Sequence, residues 1–386
     1  MTGSIVAVLA SLPWIVAPIV TVLRVRNSCM LDAESADIPV PAPMVSVIIP
    51  ARNEARNIER CVRSVLSTTW PNLEVVVVDD HSEDGTGEIA RRIAAEDARV
   101  RVVDNPPLPD DWFGKQWACA SGASAARGDI LCFTDADTFH HPDLIARSVN
   151  AIARTKADLF SVASRQELGG FWEKVIQPQI FTFLAIRYGG TETVTNSSRV
   201  TDKIANGQCI FFLRAVYESL GGHALVRHHV AEDMMLAQRA FALGNRVVVE
   251  AGVNQLSARM YASLRELIDG WGKNVFAGGR DSMMFGRLGK AVYPAVLLSG
   301  PLIGLIPPLV LLLSLTGLVA PAVTLWAAIA SAALLLWWLY VYNWIEESPA
   351  YAFLSPLGAA VVFYILLRAV LRGQQVSWKG RRYISR

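Results

Sequence analysis

Charge is distributed along this chain in blocks, and that pattern limits its folds more than any motif does. Residues 1–23 carry no charged side chain, and residues 291–367 carry two, Glu346 and Glu347. The other charges crowd into the middle of the chain and its last nineteen residues. About 20 apolar residues in a helix span the hydrocarbon core of a bilayer. A polar, enzyme-sized block thus lies between membrane-type ends. The totals nearly cancel, with 36 Lys+Arg against 34 Asp+Glu, and only 18% of residues are charged. A disordered chain is excluded, as is a nucleic-acid binder built on excess basic charge. The five cysteines are scattered without a CxxC, which argues against a disulfide framework and a structural zinc site.

Residues 4–23 form the first apolar run, followed by Arg24 and Arg26. A secretory signal peptide would need a basic stretch before the run, and none precedes it. The positive-inside rule places the chain beyond Arg24 in the cytoplasm. Three more apolar stretches lie at about 292–315, 319–343 and 351–367, the first interrupted by Pro301, Pro307 and Pro308. The tail, with Arg368, Arg372, Lys379, Arg381, Arg382 and Arg386, reads as cytoplasmic. Three crossings would leave the tail on the wrong side. The expectation is therefore that 292–315 is re-entrant or interfacial, while 319–343 and 351–367 cross. This describes a multi-pass protein of the cell membrane with a cytoplasmic central block.

In that block, strand-like apolar runs at 44–49, 74–78, 99–103 and 130–134 alternate with helical patterns at about 55–67, 86–97 and 115–127. Such alternation predicts βαβ units and a mostly parallel sheet, with ligands held at the carboxyl ends of the strands. Strand one ends in Pro50-Ala51-Arg52-Asn53-Glu54, strand two in Asp79-Asp80-His81-Ser82, and strand four in Asp135-Ala136-Asp137. There is neither a GxGxxG after strand one nor a GxxxxGK[ST], which disfavours a dinucleotide site and a P-loop. Asp135-Ala136-Asp137 is the only D-x-D in the chain. Two carboxylates so spaced at a strand end can share one divalent cation, which also ligates diphosphate oxygens.

VSVIIPARNE, VVVVDDHSEDGT, FTDADT and AEDMML, in this order over residues 44–290, resemble family 2 glycosyltransferases of the GT-A fold. The N-terminal span, GWGKN (270–274) and WKGRRY (378–383) look like the membrane-bound branch that glycosylates lipids, with carotenoid- and hopanoid-associated enzymes the nearest likenesses. The resemblance implies that Pro50, Arg52 and Glu54 line the nucleotide pocket. Asp80, with Asp79 beside it, contacts base and ribose. Asp135 and Asp137 hold Mg2+ or Mn2+ against the diphosphate. Asp233 is the general base, which deprotonates the acceptor hydroxyl as it attacks with inversion. The residues suit those roles, because a diphosphate leaving group needs charge stabilisation and the nucleophile needs orienting. Alone, Glu232 and Asp233 would read as ordinary acids of a helix N-terminus; Glu232 is expected on the acceptor side.

Lys115 either meets a phosphate or is a solvated helix-start lysine. Gly207 and Gln208 either face the acceptor or make a plain turn. The stretch Gln255–Tyr261 departs from the QxxRW signature of processive members, which favours transfer of a single hexose. Arg259 is still expected to reach a diphosphate, and Tyr261 to stack on or line the acceptor site. On the acceptor side, Trp378, like Tyr383, is expected at the membrane interface, and Arg381 or Arg382 is expected to close over the active site. The implied layout is a transmembrane helix at 1–26, a linker at 27–43, a GT-A domain at 44–261, an amphipathic interfacial helix at 262–290, membrane segments at 291–371 and a basic tail at 372–386. The expected partners are a nucleotide-sugar donor, a lipid acceptor and the membrane, with no nucleic acid. The donor is expected to be a UDP-sugar. The alternatives are a processive polysaccharide synthase and a nucleotide-binding membrane scaffold or transport protein.

Overall fold

The computed structural model describes residues 2–281, 286–373, 375–378 and 381–384. In chain order the elements are α1 (Thr2–Val25), β1 (Val45–Ala51), α2 (Ile58–Leu66), β2 (Leu73–Asp79), α3 (Thr86–Glu96), β3 (Val100–Asp104), α4 (Gly114–Ala125), β4 (Ile130–Thr134), β5 (Thr138–His140), α5 (Leu144–Thr155), β6 (Leu159–Ala163) and β7 (Arg165–Gln166). Then come α6 (Phe171–Tyr188), α7 (Thr191–Asn196), β8 (Cys209–Leu213), α8 (Arg214–Ser219), α9 (Glu232–Ala242), β9 (Val247–Ala251), β10 (Leu256–Ala258), α10 (Leu264–Asp281), α11 (Gly286–Ser314), α12 (Pro321–Trp344), α13 (Ser355–Arg372), β11 (Gln375–Trp378) and β12 (Arg381–Ile384). They divide into an α/β unit (Ser28–Glu167, Thr191–Met260, Gln374–Arg386) and a helical unit (Met1–Asn27, Leu168–Gly190, Tyr261–Gly373).

The α/β unit is built on a seven-stranded sheet of order β3-β2-β1-β4-β8-β6-β9. β3, β2, β1 and β4 run parallel, and β8 is antiparallel to both β4 and β6. Both faces are covered, so the strands are apolar throughout rather than alternating. Val47, Ile49, Val75 and Val77 enter one core; Ile48, Val76 and Val78 enter the other. Gly122 of α4 faces Ile48 and Val78 so closely that a Cβ there would overlap them, which lets this helix sit down on the sheet. A small sheet of order β5-β10-β7 lies beyond the carboxyl end of β4. The four strands and three helices expected at the start of the block are present as β1–β4 and α2–α4.

Residues 27–43 differ from the expected linker. Leu31 is fully buried in the core, the Ala251 amide donates to the Cys29 carbonyl (2.8 Å), and Arg147 donates to the Asp32 carbonyl (2.9 Å). Ala36 and Ala42 also pack on the core, Arg154 pairs with Glu34, and Asn254 and Gln255 donate to Asp32; the partners lie over a hundred residues away, so a small, polar sequence does not disclose them.

Among the described residues, the helical unit holds four helices long and apolar enough to cross a membrane: Gly3–Val25, Leu288–Ser314, Pro321–Trp344 and Pro349–Arg372. The stretch at 292–315, expected to be broken by its prolines, is instead part of the uninterrupted α11, which contains Pro294, Pro301, Pro307 and Pro308. A helical proline leaves the carbonyl four residues earlier without its N–H partner. Within lipid that carbonyl must find another donor. Pro307 strands the carbonyl of Ile303, which accepts the indole N–H of Trp14 at 3.0 Å. Pro178 of α6 strands the carbonyl of Lys174, which accepts the hydroxyl of Tyr342 at 2.7 Å. α10, expected as an amphipathic interfacial helix, buries Leu267 and Trp271, with Trp271 edge-on to Phe181 of α6. Asp269 pairs with Arg368 of α13 at 2.8 Å.

Candidate active site

The carboxyl ends of β1, β2 and β4 meet the start of α9, and the acidic residues collect there. β4 ends at Thr134, and the chain turns through Asp135-Ala136-Asp137 into β5. The turn is fixed by Thr138, whose hydroxyl donates to the Asp135 carbonyl (2.8 Å), and by the Arg259 amide, which donates to the Asp137 carbonyl (3.1 Å). Arg259 is thereby carried beside the D-x-D turn at the end of β10.

Lys115, in the first turn of α4, bridges the cluster. Its Nζ lies 2.7 Å from Asp135 Oδ1 and 2.7 Å from Glu232 Oε1. It is held in these ion pairs rather than standing free in solvent. Burial disfavours its ammonium, but Asp135 and Glu232 outweigh that and hold its pKa well above the ordinary range. Lys115, Pro50, Asp135, Gly207, His223 and Glu232 line one cleft.

Asp233 stands beside Glu232 at the start of α9. Its Oδ2 accepts the Gly207 amide at 2.9 Å and its Oδ1 accepts the Met234 amide at 2.7 Å. Burial and the neighbouring Glu232 charge push its carboxyl up to about 6. Gly207 is more than a turn residue: a Cβ there would stand 2.9 Å from Asp233 Oδ2. Gln208 behaves differently from an acceptor-facing residue. Its buried side-chain oxygen accepts from Ser164, from Gln166 Nε2 (3.0 Å) and from Asn206 Nδ2 (3.3 Å), which makes it a strut beneath the site.

On the β1–β2 side, Arg52 donates to the carbonyls of Asp80 (2.5 Å) and His81 (3.2 Å). The Glu54 amide donates to Thr86 Oγ1 (2.8 Å), and its carboxylate accepts from Asn57 (2.9 Å). Asp79 caps the following loop through the Ser82 amide (3.0 Å). Asp80 is almost wholly buried. It accepts Asn105 Nδ2 at 2.9 Å and pairs with Arg381 NH1 at 2.5 Å. Arg381, expected on the acceptor side, thus sits at the carboxylate expected to meet base and ribose. Beside it Tyr383 packs at a tilt against Phe113, ring centroids 4.4 Å apart, and its hydroxyl accepts the Gly114 amide at 3.3 Å. Sequence reasoning does not find Asn105, and it expects Tyr383 at the membrane interface and not beside Asp80. Asn105 follows β3, whose end lacks a paired-carboxylate motif, and Tyr383 lies in the WKGRRY segment, whose basic residues are the stronger signal. Tyr261 belongs to the helical unit, where it packs on Gly270 and edge-on to Trp271. Trp378 lies in β11; its side chain is outside the described residues.

Asp137 fits a divalent cation. Its Oδ1 is buried without a hydrogen-bond partner among the described residues. Burial, with Asp135 and Glu54 nearby, raises its carboxyl to about 7. No cluster of three or more His, Cys, Asp or Glu suited to a metal occurs among the described residues. Two carboxylates leave most of a hard cation's shell open to oxygens of a ligand and water.

The glycosyl transferase family 2 model matches residues 46–221. The 4,4'-diaponeurosporenoate glycosyltransferase of Staphylococcus haemolyticus is 30% identical over 237 residues, 61% of this chain and 61% of that protein. Glycosyltransferase AglE of Haloferax volcanii is 40% identical over 119 residues, 30% of this chain and 38% of that one. The chain therefore spans about three-fifths or less of these relatives' lengths. Among solved structures, a mannosyltransferase from Pyrobaculum calidifontis in complex with GDP-Man and Mn2+ is similar in fold, with a TM-score of 0.55 at 20% identity, covering 96% of this chain and 98% of that one. The order of strands, the D-x-D turn after β4 and these matches agree: residues 46–221 are a glycosyl transferase family 2 domain, and the α/β unit that contains them has the GT-A fold.

Proposed function

We propose that the chain is a membrane-bound, inverting, metal-dependent glycosyltransferase that moves one hexose from a nucleotide sugar to a lipid acceptor at the cytoplasmic face. The observation that carries this reading is the pairing of an orphaned Asp137 Oδ1 with a separate carboxylate, Asp233, held by the Gly207 amide. One carboxylate pair would hold Mg2+ or Mn2+; the other carboxylate remains available as a base. The ion, when bound, neutralises charge on the departing diphosphate.

The chain's own residues supply the rest. The Gly207 and Met234 amides orient Asp233, whose carboxylate takes the proton of the acceptor hydroxyl while that oxygen attacks the anomeric carbon and the bond to diphosphate breaks. Lys115 joins the two halves, its one positive charge offsetting part of the negative charge of Asp135 and Glu232 where an anionic donor must approach. Arg259, tied to the Asp137 carbonyl, is the second cation for the diphosphate. A UDP-sugar is the donor that the family resemblance favours. The lipid acceptor is supported by the four long apolar helices and by a relative named for glycosylating diaponeurosporenoate.

The test is incubation of membranes containing the protein with a panel of radiolabelled nucleotide sugars, followed by lipid extraction and mass analysis. A lipid carrying one added hexose is expected. Asp137→Ala should abolish transfer, and Asp233→Asn should slow it about 10²–10⁴-fold, each with the protein still folded; turnover near the parent rate in either purified variant overturns the assignment of roles. A ladder of long products would instead indicate a processive synthase.

A further inference from the structure

We propose that α13 does not cross the bilayer: α1, α11 and α12 cross, and α13 is a re-entrant helix that enters and leaves on the side of the catalytic unit. This rests on the reading of the helical unit as membrane-embedded. Three observations carry it.

The first is parity. Arg381 of the tail pairs with Asp80 inside the α/β unit, so the tail and the catalytic residues share one aqueous side. Between Met260 and Gln374 the chain then crosses an even number of times, yet three helices among the described residues there have the length and composition of a span.

The second identifies the odd helix. α6 follows Glu167 and precedes Thr191, both in the α/β unit, so both its ends emerge on the catalytic side. The C-terminal end of α1 is anchored there, since Arg24 donates to the Ile186 carbonyl (2.8 Å) and accepts the Gly190 amide (3.1 Å) at its own carbonyl. α12 ends there too: Tyr342 caps the Lys174 carbonyl, and Glu347, just beyond the helix, pairs with Lys174 at 2.9 Å. α13 starts there as well. Its Ser355 carbonyl accepts Gln179 Nε2 at 2.8 Å, and Gly358 lies directly against Gln179 and the Val175 carbonyl. With its first residue on α6 and its last leading into the tail, α13 has both ends on one side.

The third is reach. α13 runs antiparallel to α11, with Ala359 opposite Gly304 and Ala369 packed on Tyr293. It thus begins short of Ser314: Ser355 lies four residues before Ala359, opposite about residue 308, and the six residues left are about 9 Å of helix. α11 and α12, at 29 and 24 residues, are long enough to traverse a core of about 30 Å. Their connection, residues 315–320, is the far-side loop. Proline content points to 292–315 as the re-entrant segment and to 351–367 as a crossing; the contacts reverse that choice.

The test uses the full chain with Cys29→Ala and single added cysteines, labelled in intact cells with a membrane-impermeant maleimide before and after permeabilisation. Leu318→Cys is expected to label from outside. Ser348→Cys, Ala350→Cys and the catalytic-unit marker Glu218→Cys should label only after permeabilisation, as should an antibody tag fused after Arg386. A tag exposed outside, or Ser348→Cys labelling from the same side as Leu318→Cys, overturns the proposal while leaving the membrane reading intact. Release of the unmodified protein by alkaline carbonate overturns both. Ala350→Cys duplicates Ser348→Cys should the latter fail to fold.

Discussion

At the scale of single residues, the site depends on what each carboxylate is allowed to do. Asp233 must be ionised to accept a proton, and burial beside Glu232 pushes its carboxyl up to about 6. It is therefore protonated below that pH and ionised above it. Turnover should rise with pH through about 6, and an initial-rate profile at saturating donor and acceptor checks this. Asp233→Asn should lose about 10²–10⁴-fold in kcat, with the acid limb gone from any residual rate. Gly207 offers a finer probe. Gly207→Ala puts a methyl group 2.9 Å from Asp233 Oδ2, so the carboxylate must move while its charge is kept. A displacement of that order costs about 10²-fold in kcat. The melting temperature should change little, and a variant with unchanged kcat would show that the Gly207–Asp233 contact does not set the position of the base.

At the scale of elements, the prolines of the helical unit test how irregular helices survive in lipid. Trp14 caps the Ile303 carbonyl that Pro307 leaves without a partner. Interhelical hydrogen bonds in membranes contribute about 1 kcal/mol. Trp14→Phe should destabilise by about that amount in the parent chain and by less in a Pro307→Ala background, where residue 307 regains its own N–H. Thermal denaturation of the four proteins forms a double-mutant cycle; equal losses in both backgrounds would mean that Trp14 acts only by packing. The same physics separates what is legible in the sequence from what is not. β1–β4 and the D-x-D turn are legible because they are local: an apolar run fixes each strand, and the acidic residues follow at once. The continuity of α11 is not, since the donor that rescues it comes from α1, 289 residues away. Nor is the placement of α6. It lies between two strands of the catalytic block, yet folds with the helices because Val175, Ile176 and Ile180 are buried there.

At the scale of the whole molecule, the separate blocks of charge are reunited by folding. The basic tail returns 301 residues to place Arg381 on Asp80. Spacing cannot disclose such a pairing: WKGRRY advertises basic and aromatic character but not which carboxylate it meets, so the sequence suggests the acceptor side. The physical need lies with the carboxylate. Asp80 is buried next to Asp79, and a donor that carries a diphosphate would meet two negative charges there without compensation. Breaking a buried pair by removing one partner leaves an uncompensated charge. Arg381→Ala should therefore raise the donor KM about tenfold, equivalent to about 1.4 kcal/mol, with kcat changed far less. Arg381→Lys, which keeps the charge but loses the fork, should lie between. The effect should shrink as ionic strength rises, because screening weakens the repulsion that the arginine had offset. Initial rates against donor concentration at low and high salt measure all three. An Arg381→Ala enzyme with unaltered donor KM would mean that the tail leaves Asp80 when donor binds and contributes nothing to holding it.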